Sequence, residues 1–366
     1  MGALLWTFPL LMFASIVIGW AAEVTAVRLS AGIALAVLAW LQTAPEFAVE
    51  ATIAWHQDAH LALANLTGSL RLLLGFGWPM VFFIHWFTQR RRRVKVRSLK
   101  LPAMFKTESL GLAFPVLYFV IIYFKGTWTP YDGAILASFY GVYFWMLSRQ
   151  RKAGSEAASG QAVEEGEGEP WVVRRVLGLG KGGQFAAMIA MFGFGGAMLW
   201  VTVHPFIHAL QVAAMGFGIS DFIFIQWIAP LASEFPEKVT AFNWARAPRK
   251  VPYAVVNMLS SVTAQWTLLA GLVPIIFSIS AGHAYTIVFT DFQKQELLLT
   301  IAQSALTVAI LADLTIESYE MLGYFALWAV QFFVPSVRPY LVPVYLGWTA
   351  IEAFRLTAYR RLFLKI

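Results

Sequence analysis

The chain has no cysteine and few charged residues for its length. Only 13% of its 366 residues are Asp, Glu, Lys or Arg, whereas a soluble protein carries about a quarter. The absence of cysteine excludes disulfides, thiolate metal sites and iron–sulfur clusters. The low charge, together with 59% hydrophobic residues, 30 Phe and 15 Trp, excludes a soluble domain built around one compact core.

Apolar runs of about 20 residues, the length needed to cross a bilayer, recur along the whole chain. Hydropathy between the charge clusters predicts about eleven spans, at 3–21, 27–54, 61–88, 108–125, 131–148, 184–208, 214–243, 251–281, 295–312, 319–336 and 340–357. We therefore predict an all-α, polytopic membrane helix bundle. Its parts are a first five-helix repeat (1–148), a flexible cytoplasmic linker (149–183), a second five-helix repeat (184–336) and an extra C-terminal transmembrane helix with a tail (337–366).

The basic residues predict the orientation, because cytoplasmic loops carry an excess of Lys and Arg. Four basic clusters, at 90–106, 149–181, 246–250 and 355–365, all fall on one side when the spans are counted. This places the N-terminus outside and the linker and C-terminus in the cytoplasm, in a multi-pass protein expected in a prokaryotic plasma membrane. The formal net charge of +7 then reflects topology, so the expected partner is the lipid bilayer and not nucleic acid. The sequence does not indicate an oligomeric state.

Two short motifs recur at matching places in the two halves. Leu41-Gln-Thr-Ala-Pro-Glu46 is followed by Asn65-Leu-Thr-Gly-Ser69, and Ala232-Ser-Glu-Phe-Pro-Glu237 is followed by Asn257-Met-Leu-Ser-Ser261. Each Pro-Glu pair lies inside a long apolar span, and each Asn lies early in the next span. By the span count the two Pro-Glu spans run in opposite directions. The motifs therefore predict two repeats that are inverted in the membrane.

This pattern indicates a site for cations near the middle of the membrane. A proline inside a membrane helix frees backbone carbonyls, which are tolerated where they line a cavity or bind something. A carboxylate beside that break costs about 2.5 kcal/mol or more to insert into lipid. Such residues are rare inside membranes and usually belong to a functional site. Inverted repeats would bring Glu46 and Glu237 together with the hydroxyls of Thr43 and Ser233. Such hard oxygen ligands suit Ca²⁺ or Na⁺, and either carboxylate can carry a proton instead.

The paired motifs resemble the two α-repeats of the calcium/cation antiporter superfamily, of the sodium/calcium exchanger type. The family pattern is Gly-Thr-Ser-x-Pro-Glu, followed by Gly-Asn-x-x-Gly-Ser-Asn-x-x-Asn/Asp. The resemblance implies an antiporter whose first and sixth helices slide across a fixed core, with transported cations and no cofactor. It places the ion-binding glutamates at Glu46 and Glu237, which are the candidate metal ligands, and the hydroxyl ligands at Thr43 and Ser233.

The chain departs from this pattern around the glutamates. The later Asn/Asp ligand of the family falls on Leu73 in one repeat and on Gln265 in the other, and Glu234 replaces the second hydroxyl of the second repeat. Gln265 and Glu234 are thus substitute site residues. Asn65 and Asn257 are further candidates, with hydrogen bonding between helices as the alternative role.

Arg71 is expected to modulate the site, because it lies about ten residues into the third span. If it pairs with Glu46 or Glu50, it would stand in for a bound cation. A purely structural interpretation has Arg71 and Lys238 neutralising the glutamates. Glu50, like Asp221, is otherwise a residue of an access path or of a solvated helix end.

The function predicted is a secondary active antiporter that exchanges Ca²⁺ or a similar cation against Na⁺ or H⁺ by alternating access. One alternative is a sodium/proton or cation/proton exchanger on the same fold. Another is a non-transporting sensor or structural protein whose site Arg71 neutralises. An enzyme is not expected, because no His-Glu-x-x-His or Gly-x-Ser-x-Gly motif is present. Five histidines fall on the predicted outer side, as interfacial residues in preference to a metal or pH-sensing site: His56, His60, His204, His208 and His283.

Overall fold

The computed structural model describes residues 2–26, 40–150 and 170–363. The start of the second predicted span (27–39) and most of the predicted linker (151–169) lie outside the described residues. The first half contains the helices α1 Gly2–Ala26, α2 Ala44–Trp55, α3 Ala59–Leu72, α4 Trp78–Arg91, α5 Lys106–Gly111, α6 Ala113–Lys125 and α7 Pro130–Gln150. The second half contains α8 Trp171–Leu177, α9 Lys181–Phe217, α10 Asp221–Ser233, α11 Phe235–Ala245, α12 Val251–Ala264, α13 Ala270–Ala281, α14 Asp291–Leu311, α15 Ser318–Phe333 and α16 Arg338–Phe363.

The protein is a polytopic helix bundle, as the hydropathy pattern predicts. Within the described residues, five continuous helical stretches are long and apolar enough to cross a membrane, and a bent pair, Ser318–Phe333 with Pro335–Leu356, adds one more. The other predicted spans form helices that are broken or more polar. Helix α14, for example, is 21 residues long but buries Glu296, Gln303 and several hydroxyls against other helices. These polar side chains lower the mean hydropathy of α14. Because they contact other helices and not lipid, the helix still lies within the bundle. The two helices of the bent pair meet at 115°, so they do not form one continuous rod.

The second and seventh spans are broken at equivalent positions. The helical turn that ends at Gln42 is interrupted at Thr43 before α2 begins, and α10 is interrupted at Glu234 before α11 begins. Pro45 and Pro236 lie in the first turn after each break. A proline has no N–H for the carbonyl four residues earlier, so the usual helical partner of that carbonyl is missing. Both halves therefore open the backbone two residues before the proline.

The third and eighth spans each contain a wide turn at equivalent positions. A π-helical turn at Leu73–Gly77 joins α3 to α4, and another at Gln265–Leu269 joins α12 to α13. Such turns insert a residue into the helical ladder and are frequent at functional sites. Each begins eight residues after the asparagine of its repeat. The backbone irregularities of the two repeats thus match.

Two short antiparallel ribbons link loops of the two repeats. Strand β1 (Ser98–Lys100) pairs with β4 (Thr315–Glu317), and β2 (Thr127–Trp128) pairs with β3 (Ile287–Val288). The loop after the third span therefore shares a side with the loop after the ninth, and the loop after the fourth shares a side with the loop after the eighth. Both pairings agree with the sides that the span count predicts for these loops. They also exchange under the two-fold relation between inverted repeats.

The first helices of the two repeats, α1 and α9, pack against each other. The broken spans lie beside this pair, and α3 and α12 lie behind them. Helix α3 approaches α10 very closely at Gly68, where an added Cβ would lie 1.7 Å from the Gln226 carbonyl oxygen. A small residue is needed for such an approach between membrane helices. This packing holds the breaks in α2 and α10 against the polar face of α3.

Candidate functional site

The eight site residues predicted from the sequence are all fully buried, at 0–1% exposure. The helix breaks place Glu46 and Glu237 in the first turns of α2 and α11. Negative charge is favoured there, because unpaired backbone N–H groups and the helix dipole point toward it. The structure brings five of the eight into two hydrogen-bonded groups, one around Glu46 with Asn65 and Ser233 and one around Glu234 with Gln265. Glu237 belongs to neither group. The structure places Asn257 and Thr43 somewhat differently.

Glu46 and Glu50 form a pair of carboxylates held by one amide. Asn65 Nδ2 donates to Glu46 Oε1 at 2.6 Å and to Glu50 Oε2 at 2.7 Å. Ser233 Oγ, from the other repeat, donates to Glu46 Oε2. Glu50 is buried and lies one helical turn after Glu46, so it belongs to the site. It is not a solvated helix end.

Glu234 accepts hydrogen bonds from three helices. Ser69 Oγ donates to its Oε1, as does Gln265 Nε2 at 2.9 Å. Lys238 Nζ lies 2.7 Å from its Oε2, four residues along the same span. Lys238 thus pairs with Glu234. The structural interpretation of the sequence required it to pair with Glu237 instead.

Glu237 has the least complete hydrogen bonding of the carboxylates in the site. The Ser261 hydroxyl faces this carboxylate, but neither oxygen of Glu237 has a well-formed hydrogen bond among the described residues, although the side chain is fully buried. Five further oxygens of the polar face are buried without a partner in the described part of the chain: Glu50 Oε1, Asn65 Oδ1, Asn257 Oδ1, Ser261 Oγ and Gln265 Oε1. Buried oxygens without donors are rare in proteins and call for a cation, a proton or water. This set consists of the hard oxygen ligands that Ca²⁺ and Na⁺ prefer.

The remaining predicted residues have other partners. Asn257 Nδ2 donates to Gln42 Oε1 at 3.1 Å, and Gln42 Nε2 donates to Thr240 Oγ1 at 3.0 Å. Thr240 in turn donates to Glu23 on α1 at 2.7 Å. The Thr43 hydroxyl donates to the Trp40 carbonyl at 2.8 Å. Asn257 therefore connects the second repeat to α1 through a chain of hydrogen bonds.

Arg71 does not neutralise the glutamates of the site. Its Nη2 lies 2.5 Å from Glu296 Oε2, its Nη1 is 3.3 Å from Gln331 Oε1, and its Nε donates to the Thr67 carbonyl. The pairing with Glu46 or Glu50 considered from the sequence is wrong. Arg71 lies only six residues from Asn65, but the 3.6-residue helical period turns the two side chains to different faces of α3.

Sequence reasoning left out several polar residues that complete the site. Ser69 and Ser261 lie four residues after each asparagine, on the same helix face, and both were already within the repeated motif. Gln42 occupies the position next to the helix break. The helical spacing and the equivalence of the two motifs carried this signal. The partners across helices were not visible in the sequence.

The histidines that the sequence predicts on the outer side have contacts of their own. The rings of His56 and His204 are 5.1 Å apart, and these residues line a cavity of about 130 Å³ with Asp58 and His208. His60 lies 3.8 Å from Asp221. Among the described residues, no three His, Asp or Glu side chains are arranged to hold a metal ion by themselves. This includes the carboxylates around Glu46, so a cation bound there would also need the amide and hydroxyl oxygens beside them.

Buried carboxylates at matched helix breaks, on inverted repeats of a membrane bundle, define a secondary transporter of cations. A family model described as sodium/calcium exchanger protein matches residues 1–149 and 187–337. The chain belongs to this exchanger family, whose members are transporters.

Solved structures of exchangers resemble the chain over most of its length. The crystal structure of the H⁺/Ca²⁺ exchanger CAX is 31% identical, with a TM-score of 0.87, and the match covers 100% of this chain and 89% of that one. The sodium-calcium exchanger NCX_Mj, soaked with 2.5 mM Na⁺ and 10 mM Sr²⁺, is 16% identical, with a TM-score of 0.58, and covers 91% and 97% of the two chains. Soaked with 2.5 mM Na⁺ and 0.1 mM Ca²⁺, NCX_Mj gives a TM-score of 0.57. No protein with a curated function matches the sequence.

Proposed function

We propose that the chain exchanges Ca²⁺ or a similar divalent cation against H⁺ by alternating access, with Glu46, Glu50 and Glu237 as the carboxylates that hold the exchanging ions. The observation that carries this proposal is the set of buried oxygens without a hydrogen-bond partner in the described residues, which includes both carboxylate oxygens of Glu237. Asn65, Ser261 and Gln265 supply neutral oxygens from the third span of each repeat. Ca²⁺ takes six to eight such ligands, mixing carboxylates with neutral oxygens.

The charge of the site supports a cation as cargo. Four buried carboxylates, Glu46, Glu50, Glu234 and Glu237, lie together, and among the described residues Lys238 is the basic side chain bonded to one of them. An uncompensated buried charge is very costly. Metal cations or protons are therefore needed to balance the excess negative charge. Exchange follows when the same carboxylates accept either one.

Protons are favoured over Na⁺ as the coupling ion by the chemistry of the residues and by similarity. The Asn/Asp ligands of the family are replaced by Leu73 and Gln265, whereas a proton needs only a carboxylate. The H⁺/Ca²⁺ exchanger CAX is also more similar to the chain than NCX_Mj is, at 31% against 16% identity. Coupling to Na⁺ on the same site is the second candidate, supported by the hydroxyl and amide oxygens that the chain retains.

The non-transporting alternative required the Arg71 guanidinium to lie between the glutamates. Arg71 is engaged by Glu296, on the opposite side of α3. The carboxylates of the site are left to other cations, which supports transport. The sliding of α1 and α9 that the family resemblance implies is compatible with their mutual packing beside the broken spans.

The test is ⁴⁵Ca²⁺ uptake into proteoliposomes under an imposed H⁺ gradient or an imposed Na⁺ gradient. We expect uptake driven by H⁺ and abolished in Glu46→Gln and in Glu237→Gln, with both variants folded. Asp291→Asn, an exposed carboxylate at the start of α14, is the matched control and keeps full activity. Retained uptake in both glutamine variants would overturn the site, and uptake driven only by Na⁺ would select the second candidate.

A further inference from the structure

Lys238 is a buried lysine beside the carboxylates of the candidate site. It directly follows Glu237 in the first turn of α11 and is 6% exposed. A lysine is seldom buried unless its ammonium group is paired. The Nζ atom lies 2.7 Å from Glu234 Oε2, which accounts for its burial.

Both carboxylate oxygens of Glu234 have hydrogen-bond donors, whereas some oxygens of the neighbouring carboxylates do not. One oxygen of Glu234 accepts from Ser69 and Gln265, and the other faces the ammonium group. Glu237, three residues later, faces the Ser261 hydroxyl but has no well-formed hydrogen bond on either oxygen among the described residues, and Glu50 Oε1 has no partner there either. Glu234 therefore needs no added cation, whereas the neighbouring carboxylates do.

The charged pair of the second repeat has no counterpart in the first repeat. Aligning the two Pro-Glu motifs puts Thr43 at the position of Glu234 and Phe47 at the position of Lys238. One half has an uncharged pair, four residues apart, and the other half has an acid and a base at the same two positions. The extra carboxylate thus occurs together with an extra ammonium group. The two charges cancel within the site.

We propose that Lys238 is a tethered cation, whose ammonium group fills a cation position at Glu234. The ammonium takes the place that a bound monovalent ion would take on an unpaired buried glutamate. Exchanging cations then bind on Glu46, Glu50 and Glu237, and the site holds one cation fewer than its four carboxylates would otherwise attract. This inference rests on the proposed function and deepens it, because it assigns the number of ions held.

The test counts Na⁺ bound to purified protein, by equilibrium binding of ²²Na⁺ in the absence of Ca²⁺. Lys238→Met keeps much of the side-chain length and removes the charge, so it should bind one more Na⁺ per chain than the wild type. Lys238→Arg keeps the charge and should give the wild-type number. The double variant E234Q/K238M removes the vacated carboxylate and should return to the wild-type number.

Thermal stability provides a second readout for variants that bind ions weakly. Na⁺ should raise the unfolding temperature of Lys238→Met more than that of the wild type or of E234Q/K238M, with choline chloride at equal ionic strength as the control. An unchanged Na⁺ count and an unchanged Na⁺ effect in Lys238→Met overturn the proposal. If the wild type still exchanges Ca²⁺ for H⁺ in that case, only the tethered cation fails. If no variant binds Ca²⁺ or Na⁺, the proposed function fails with it.

Discussion

Glu296 holds together two buried guanidinium groups, so Glu296→Gln is expected to destabilise the protein severely. Arg71 Nη2 lies 2.5 Å from one of its carboxylate oxygens, and Arg338 Nη1 lies 3.1 Å from the other. Gln226 also donates to it, at 2.9 Å. Arg338 begins α16, the helix that is extra to the ten-helix family pattern. The cluster thus fastens that helix to α14 and α3.

The magnitude follows from the charges left behind. Removing one partner of a buried ion pair costs about 3–5 kcal/mol, and Glu296→Gln leaves two like charges in place of one. We therefore expect a loss near the upper end, about 5 kcal/mol. Arg338→Met leaves Glu296 paired with Arg71 and removes two hydrogen bonds of the guanidinium, to Glu296 Oε1 and to the Gln331 carbonyl. Together they cost about 3 kcal/mol, less than the loss expected for Glu296→Gln. The Trp227 ring lies 5.5 Å and 5.6 Å from the two guanidinium carbons, so Glu296→Gln keeps both of these cation–π contacts and Arg338→Met loses one.

The assay is the unfolding midpoint of the purified protein in detergent, with Asp291→Asn on the same helix as the control. The expected order of stability is control, then Arg338→Met, then Glu296→Gln. The double variant E296Q/R338M should be more stable than Glu296→Gln alone, because one of the two uncompensated charges is gone. The reasoning is refuted if Glu296→Gln is as stable as the control, or if the double variant is the least stable of the set.

Two further outcomes are expected. Gly68→Ala should lower the free energy of unfolding by about 1–3 kcal/mol and reduce Ca²⁺ uptake, because its Cβ would meet the Gln226 carbonyl oxygen. Gly193→Ala is the control and should change neither, because no atom lies within 4 Å of its added Cβ. Equal behaviour of the two variants would contradict the close approach of α3 and α10. Because the chain has no cysteine, a single introduced cysteine can report the orientation of a loop. Lys95→Cys should react with a membrane-impermeant maleimide only from the cytoplasm, and His283→Cys only from outside. The reverse pattern would contradict the predicted topology.

The sequence was sufficient to predict the bundle and the position of its carboxylates. Runs of apolar residues define spans without reference to their neighbours, because every lipid-facing helix meets the same solvent. The Pro-Glu motifs then mark the breaks, since the effect of proline on a helix is local. Each of these features depends on residues close together in the chain.

Side-chain partners were harder to predict, because they depend on which helix faces meet. Arg71 and Glu296 are 225 residues apart, and nothing near Arg71 in the sequence distinguishes Glu296 from Glu50 as its partner. The rotation of α3 decides the matter, by turning Asn65 and Ser69 toward the broken spans and Arg71 toward α14. Hydropathy gives no information on such a rotation when a helix is buried on all sides. The same ambiguity hid the choice of Lys238 between Glu234 and Glu237.

The two repeats agree in backbone and differ in charge, and these two properties have separate roles in a transporter of this kind. The breaks at Thr43 and Glu234, and the π-turns beginning at Leu73 and Gln265, occur at equivalent positions with unlike side chains. The backbone openings therefore do not depend on one particular side chain at the break or at the start of the π-turn. The residue at the break differs between the two repeats, Thr43 in one and Glu234 in the other. Chemical differences between exchangers of this fold can accordingly accumulate at these positions without loss of the helix geometry. In this chain the second repeat carries that difference, as Glu234 with its partners Lys238 and Gln265.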